Sequence, residues 1–130
     1  MNYYLDTCIW IDFIENRYDR MNPIGEYAFL FLKKCRKKNK IILYSNHTIY
    51  ELNRTGYDFF ELSKDFKKVL KKVEIKNIDL VKANEIKKIN FIPFGDALHL
   101  ILTRKNNGIL VSRDNHLLDF KKTKLPEKLI

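Results

Sequence analysis

Cysteine is scarce in this chain. Only Cys8 and Cys35 occur in 130 residues, both inside helically spaced apolar stretches and neither in a Cys-x-x-Cys pair. That argues against a disulfide framework or a cysteine zinc site, and the expectation is two buried, reduced thiols of a cytoplasmic protein. Long hydrophobic runs are lacking as well. No stretch approaches the ~20 apolar residues of a membrane span, and Asp6 and Asp12 interrupt the N-terminal apolar segment, so neither a spanning helix nor a signal peptide is expected. The three histidines, His47, His99 and His116, form no HxH or HExxH arrangement, so each reads as a core or surface residue rather than a ligand. Internal repeats and low-complexity segments are absent, and the length suits one domain spanning 1–130.

Positive charge is plentiful. Lys+Arg number 25 against 16 Asp+Glu, a net charge of +9. With four acids set aside as one local site, 25 cations face 12 acids elsewhere, leaving the rest of the molecule at +13. A charge of that size favours a polyanionic partner, nucleic acid or an anionic membrane surface. Five cations, Lys33, Lys34, Arg36, Lys37 and Lys38, crowd the last turns of one predicted helix, more than a helix dipole needs. Lys64, Lys67, Lys68, Lys71 and Lys72 form a second basic face, whose apolar side a protein core explains without a membrane.

Apolar runs at residues 3–5, 41–44 and 109–111 read as strands, with helical patterns between them. Asn22-Pro23 starts a helix reaching about Lys38, and Ser45 or Asn46 caps another that ends near Gly56. Asp58 opens an expected amphipathic helix with Leu62, Phe66, Val69, Leu70 and Val73 as its stripe, followed by a brief strand over residues 73–75. Pro93 and Gly95 break the next helical pattern, and the helix of residues 96–106 is apolar nearly all round, hence buried. A last edge strand, if formed, would draw on Leu129-Ile130. Strands alternating with helices predict a parallel sheet covered on both faces.

Four acids stand out by position. Asp6 follows the first strand, Asp114 follows the strand of residues 109–111, Asp96 sits behind the Pro93/Gly95 loop, and Glu51 lies in the helix after the second strand. Open parallel sheets bind ligands at the C-terminal ends of their strands. Singly, each Asp could be a helix N-cap and Glu51 a solvated helix residue. Clustered, they would need a compensating cation, and oxygen donors favour a hard one such as Mg²⁺.

Leu5-Asp6-Thr7, Tyr50-Glu51-Leu52, Gly95-Asp96-Ala97-Leu98 and Leu110-Val111-Ser112-Arg113-Asp114, in that order across nearly the whole chain, resemble the four acidic motifs of PIN-domain nucleases. The small size resembles the VapC-type toxins of toxin–antitoxin pairs. Cys8 stands where relatives often carry Asn or Ser, and Ser112 replaces a frequent Thr while keeping the hydroxyl. The resemblance implies a three-layer α/β/α fold with a central, mostly parallel sheet of four to five strands. It implies a catalytic set of Asp6, Glu51, Asp96 and Asp114. Asp6, Asp96 and Asp114 would bind Mg²⁺ or Mn²⁺, Glu51 would complete the site or orient water, and Thr7 and Ser112 would hold the carboxylates in place. The implied activity is endoribonuclease cleavage, with an RNA substrate, a cognate antitoxin and a homodimer for which Tyr18, Tyr57, Phe59 and Phe60 are either surface anchors or simply core. The alternatives are a basic RNA-binding module that keeps the acids as caps, and a PIN-like RNA-processing factor with no toxin role.

Overall fold

A computed structural model describes residues 1–130. Five strands, β1 (Asn2–Leu5), β2 (Ile41–Tyr44), β3 (Leu70–Lys72), β4 (Ile109–Val111) and β5 (Thr123–Lys124), form one sheet in the order β3-β2-β1-β4-β5. Every pairing is parallel, with Tyr4 opposite Leu43 on one side and Leu110 on the other. The chain leaves β1 toward β2 and later returns to its opposite side as β4. The switch point therefore lies between β1 and β4, and a crevice opens beyond their C-terminal ends.

Alternation along the strands separates two cores. One face carries Leu5, Ile42 and Val111, packed with Trp10 of α1 (Thr7–Glu15), Phe31 of α2 (Ile24–Lys38) and Leu52 of α3 (Asn46–Arg54). The other carries Tyr4, Leu43 and Leu110, covered by α5 (Asn77–Asn90) and α6 (Phe94–Lys105), with α4 (Phe59–Leu62) belonging to the first layer. Helix α6 is buried from Ala97 through Thr103, as its all-round apolar sequence predicts. No helix is long and apolar enough to cross a membrane. Both cysteines are free, Cys35 buried and Cys8 half-buried.

Three expectations about elements fail. The single helix from Asp58 to Val73 is instead α4, a 3₁₀ turn over Lys64–Val69, and β3. Ser63 ends α4, its hydroxyl donating to the Phe59 carbonyl at 2.6 Å. Leu70–Lys72 then take ladder hydrogen bonds from the edge of β2, a tertiary gain that outweighs a helical stripe. The strand expected over residues 73–75 accordingly lies three residues earlier. The last edge strand is Thr123–Lys124 rather than Leu129-Ile130, because Ser112 and Leu110 donate to the Lys124 and Lys122 carbonyls while Leu129 packs against the first core. Of the four aromatics read as anchors or core, Phe59 is buried, Tyr57 half-buried, and Tyr18 and Phe60 exposed.

Candidate functional site

The four acids of the sequence reading line one open pocket of about 640 Å³ at the β1/β4 switch point. Thr7, Cys8, Ile11, Asp12, Arg54, Thr55 and Arg113 complete its wall. Asp6 occupies the N-cap position of α1, yet its side chain makes no cap hydrogen bond. Its Oδ2 instead accepts from the buried Ser112 hydroxyl at 2.8 Å, which ties the end of β1 to the end of β4. The Ser112 Oγ in turn accepts from the Asp114 amide at 3.0 Å. Asp114 caps α7 (Asn115–Leu118) through the His116 amide at 2.8 Å, so for this acid the capping role is real and coexists with a place on the pocket wall.

Asp96 sits in the first turn of α6. Burial and the neighbouring Asp6 and Asp114 carboxylates push its carboxyl up to about 7. Negative charge is therefore in surplus at this spot, and no lysine or arginine of the chain forms an ion pair with Asp96. The donors offered by Asp6, Asp96 and Asp114 are all hard carboxylate oxygens, the set that suits Mg²⁺ or Mn²⁺. The residues present fit such an ion.

Glu51 has the opposite character. Burial alone would raise its pKa, but the His47 and His99 imidazoles and the Thr7 hydroxyl hold the carboxyl well below the usual range. Thr7 Oγ1 donates to Glu51 Oε1 at 2.6 Å, and His99 Nε2 lies 2.6 Å from the same oxygen. His99 is fully buried, which favours the neutral ring. The Tyr4 hydroxyl and the Glu51 and Asp6 carboxylates outweigh that burial and bring its pKa to about 10. His47 Nε2 stands 3.4 Å from Glu51 Oε2.

Sequence reasoning missed three residues here. His47 and His99 were separated by motif matching but converge on Glu51, so the reading of scattered histidines is corrected. The available signal was the i, i+4 spacing of His47 and Glu51, which places both on one helix face. Asp12 is the third. It is buried on the pocket wall, its carboxyl raised by burial against the opposing pull of Arg113 and Arg17, with Arg113 Nε 3.6 Å from its Oδ2. A single charge inside Ile9-Trp10-Ile11-Asp12-Phe13-Ile14 was the clue. Arg113 also grips Glu127 through two nitrogens at 3.0 and 2.7 Å, fastening the Ser112-Arg113-Asp114 turn to the C-terminal segment.

The arrangement defines a PIN-like α/β fold with an acid-lined crevice. No protein-family model matches the sequence, and no curated protein does. Solved structures do match in fold. The chain is similar to a chain of VapBC2 from Rickettsia felis, crystallised with a DNA fragment from their promoter, at a TM-score of 0.67 and 18% identity over 96% of this chain and 97% of that one. It is also similar to PAE2754 from Pyrobaculum aerophilum, at a TM-score of 0.63 and 22% identity over 99% and 95% of the two chains. At these identities the likeness is one of fold, and it agrees with the resemblance carried by the four acidic motifs.

Proposed function

We propose that this protein is a divalent-metal-dependent endoribonuclease acting as one domain, and the toxin half of a toxin–antitoxin pair. The observation that carries the reading is the Asp6, Asp96 and Asp114 group at the β1/β4 switch point, with its excess negative charge held in a pocket open to solvent. Asp6 and Asp96 are the principal ligands and Asp114 the weaker one. A bound Mg²⁺ or Mn²⁺ supplies Lewis acidity toward water and phosphate. The chain's own groups then hold the geometry: Ser112 fixes Asp6, and Thr7 fixes Glu51. Glu51, kept ionised by its imidazole neighbours, is a poor proton acceptor at neutral pH, so its role is to orient the attacking water.

The pocket wall carries the exposed Arg54, and the lysines of residues 64–72 are exposed on the surface. These groups neutralise RNA phosphates without choosing sequence. The VapBC2 likeness supports an antitoxin partner, and a cytoplasmic homodimer completes the reading. The test is cleavage of RNA by purified wild type and by Asp6→Asn and Asp96→Asn, with circular dichroism to confirm folding. Loss of Mg²⁺-dependent cleavage in both folded variants is expected. Cleavage retained by both would end the nuclease reading, and RNA binding that is salt-sensitive but indifferent to Mg²⁺ would favour the basic binding module.

A further inference from the structure

Beside the acid group lies a second set of donors of different chemistry. His47 and Glu51 project from one face of α3, and His99 meets them from α6; one ligating atom of each lies within 4.8 Å of the other two. We propose that His47 Nε2, His99 Nε2 and the Glu51 carboxylate form a binding site for a borderline divalent cation of the Zn²⁺ class, distinct from the hard-ion site of Asp6, Asp96 and Asp114.

Four observations converge on it. Two nitrogens and one carboxylate oxygen, with water in the fourth position, are the donor set of open zinc sites, and imidazole disfavours Mg²⁺. His47 Nε2 is buried and makes no hydrogen bond, although Glu51 Oε2 lies 3.4 Å away. That separation matches the roughly 3.3 Å between two donors on one tetrahedral zinc at ~2.0–2.1 Å from each. The His99 ring is held from behind: its Nδ1 lies 2.7 Å from the Tyr4 hydroxyl, which reaches Ser45 Oγ at 2.7 Å and Thr48 Oγ1 at 3.2 Å. An outer partner of this kind fixes ring orientation and leaves Nε2 facing the site. The fourth observation is Gly95, where an added Cβ would lie 2.8 Å from His47 Nε2 and 3.0 Å from Glu51 Oε2, so the start of α6 closes directly over the donors.

The hydrogen bond of 2.6 Å between His99 Nε2 and Glu51 Oε1 must be given up when the cation takes the proton's place. The i, i+4 pair on α3 needs no movement.

The experiment is isothermal titration of Zn²⁺, and of Co²⁺ followed by its visible absorption, into metal-free wild type, His47→Ala and Asp96→Asn. His47 is partly exposed, so its removal spares the core. Loss of even an outer partner of a ligand costs about 10- to 100-fold in affinity, so His47→Ala is expected to weaken binding by about 100-fold and to abolish the tetrahedral Co²⁺ bands. Asp96→Asn is expected to retain both. Equal binding by wild type and His47→Ala, or no binding by wild type, overturns the site. A loss in Asp96→Asn as large as in His47→Ala also overturns it, because the ion would then sit on the acids. Since the readout is binding and not RNA cleavage, the result is independent of the nuclease reading.

Discussion

Helices α5 and α6 are neighbours on the same face of the sheet, and each carries an aspartate as its third residue, Asp79 and Asp96. Their fates differ. Asp79 is 3% exposed and fully partnered: its Oδ2 accepts from the Lys76 amide at 2.8 Å and from Lys105 Nζ at 2.6 Å. Burial would raise its pKa, but these two partners bring it below the ordinary value. Burial raises Asp96 too, but its near charges are other carboxylates that push the same way, together up to about 7. The reason begins one turn earlier. The residue before α5 is Lys76, whose amide proton satisfies the Asp79 carboxylate; the residue before α6 is Pro93, which has no amide proton to give. The same residue type at the same helical position is thus a cap in one helix and a carboxyl crowded by other acids in the next, and such crowding at the sheet's switch point is what a cation would relieve.

The largest test of this contrast is catalytic. Under the nuclease reading, Asp96→Asn lowers RNA cleavage by about 100-fold or more, since it removes a ligand rather than an outer partner. Asp79→Asn leaves cleavage within about threefold and instead costs stability, about 1–3 kcal/mol, by weakening a buried hydrogen-bonded pair with Lys105. Steady-state cleavage and urea denaturation on both variants separate the two roles, and equal loss of cleavage would collapse the distinction.

Next in size is the effect of metal on melting. A ligand present at 100 times its Kd stabilises the native state by about 2.7 kcal/mol. Saturating Mg²⁺ or Mn²⁺ is therefore expected to raise the Tm of wild type and of Asp79→Asn, and to leave Asp96→Asn almost unmoved. Chelation should reverse the rise.

In the metal-free protein Asp96 sets the pH dependence below neutrality. Its folded pKa of about 7 lies above the unfolded value near 3.8, so the native state binds the extra proton between them. Stability then declines as pH rises from about 4 to 7. His99 adds to this in a higher window: raised from 6.5 to about 10, it contributes stability present below 6.5 and lost as pH climbs toward 10. Asp96→Asn removes only the first decline. After allowance for solvent screening at this half-buried site, it should be more stable than wild type at pH 7.5 by about 1–2 kcal/mol, roughly 3–8 °C in Tm. A parallel fall in both proteins between about pH 4 and 7 would refute the assignment.

Strands β1, β2 and β4, and the acids Asp6 and Asp114 beyond two of them, were legible because both rest on local pattern: short apolar runs, and an acid placed just past the end of β1 or β4. The region of residues 58–73 was not, because Leu62, Phe66 and Val69 fit a helical stripe equally well until the open edge of β2 claims Leu70–Lys72. Among site residues, the Asp6, Glu51, Asp96 and Asp114 group follows from topology, whereas His99 needed depth. In sequence it is a polar interruption of an apolar helix, and only the packing of α6 against Tyr4 and Glu51 turns it into a contact of the site. Asp12 failed to register for the same reason, since its partner Arg113 arrives from the far end of the chain.

The smallest expected effect comes from the residue that sets the two aspartates apart. Pro93→Ala supplies an amide proton three residues before Asp96, at the position from which Lys76 serves Asp79. The Pro93 φ of −58 is accessible to alanine, so the backbone need not move. A cap of this type is worth about 0.5–1 kcal/mol, and losing a proline's restraint on the unfolded chain costs a similar amount, so the net change in Tm is expected to be near zero. The informative quantity is the slope. With an amide to accept from, the Asp96 carboxylate is favoured in its ionised form, and the metal-free decline in stability between about pH 4 and 7 becomes shallower than in wild type. Metal affinity falls slightly, because the ion must now compete with the new donor. An unchanged slope would show that the charges of Asp6 and Asp114, rather than the missing amide, set the state of Asp96.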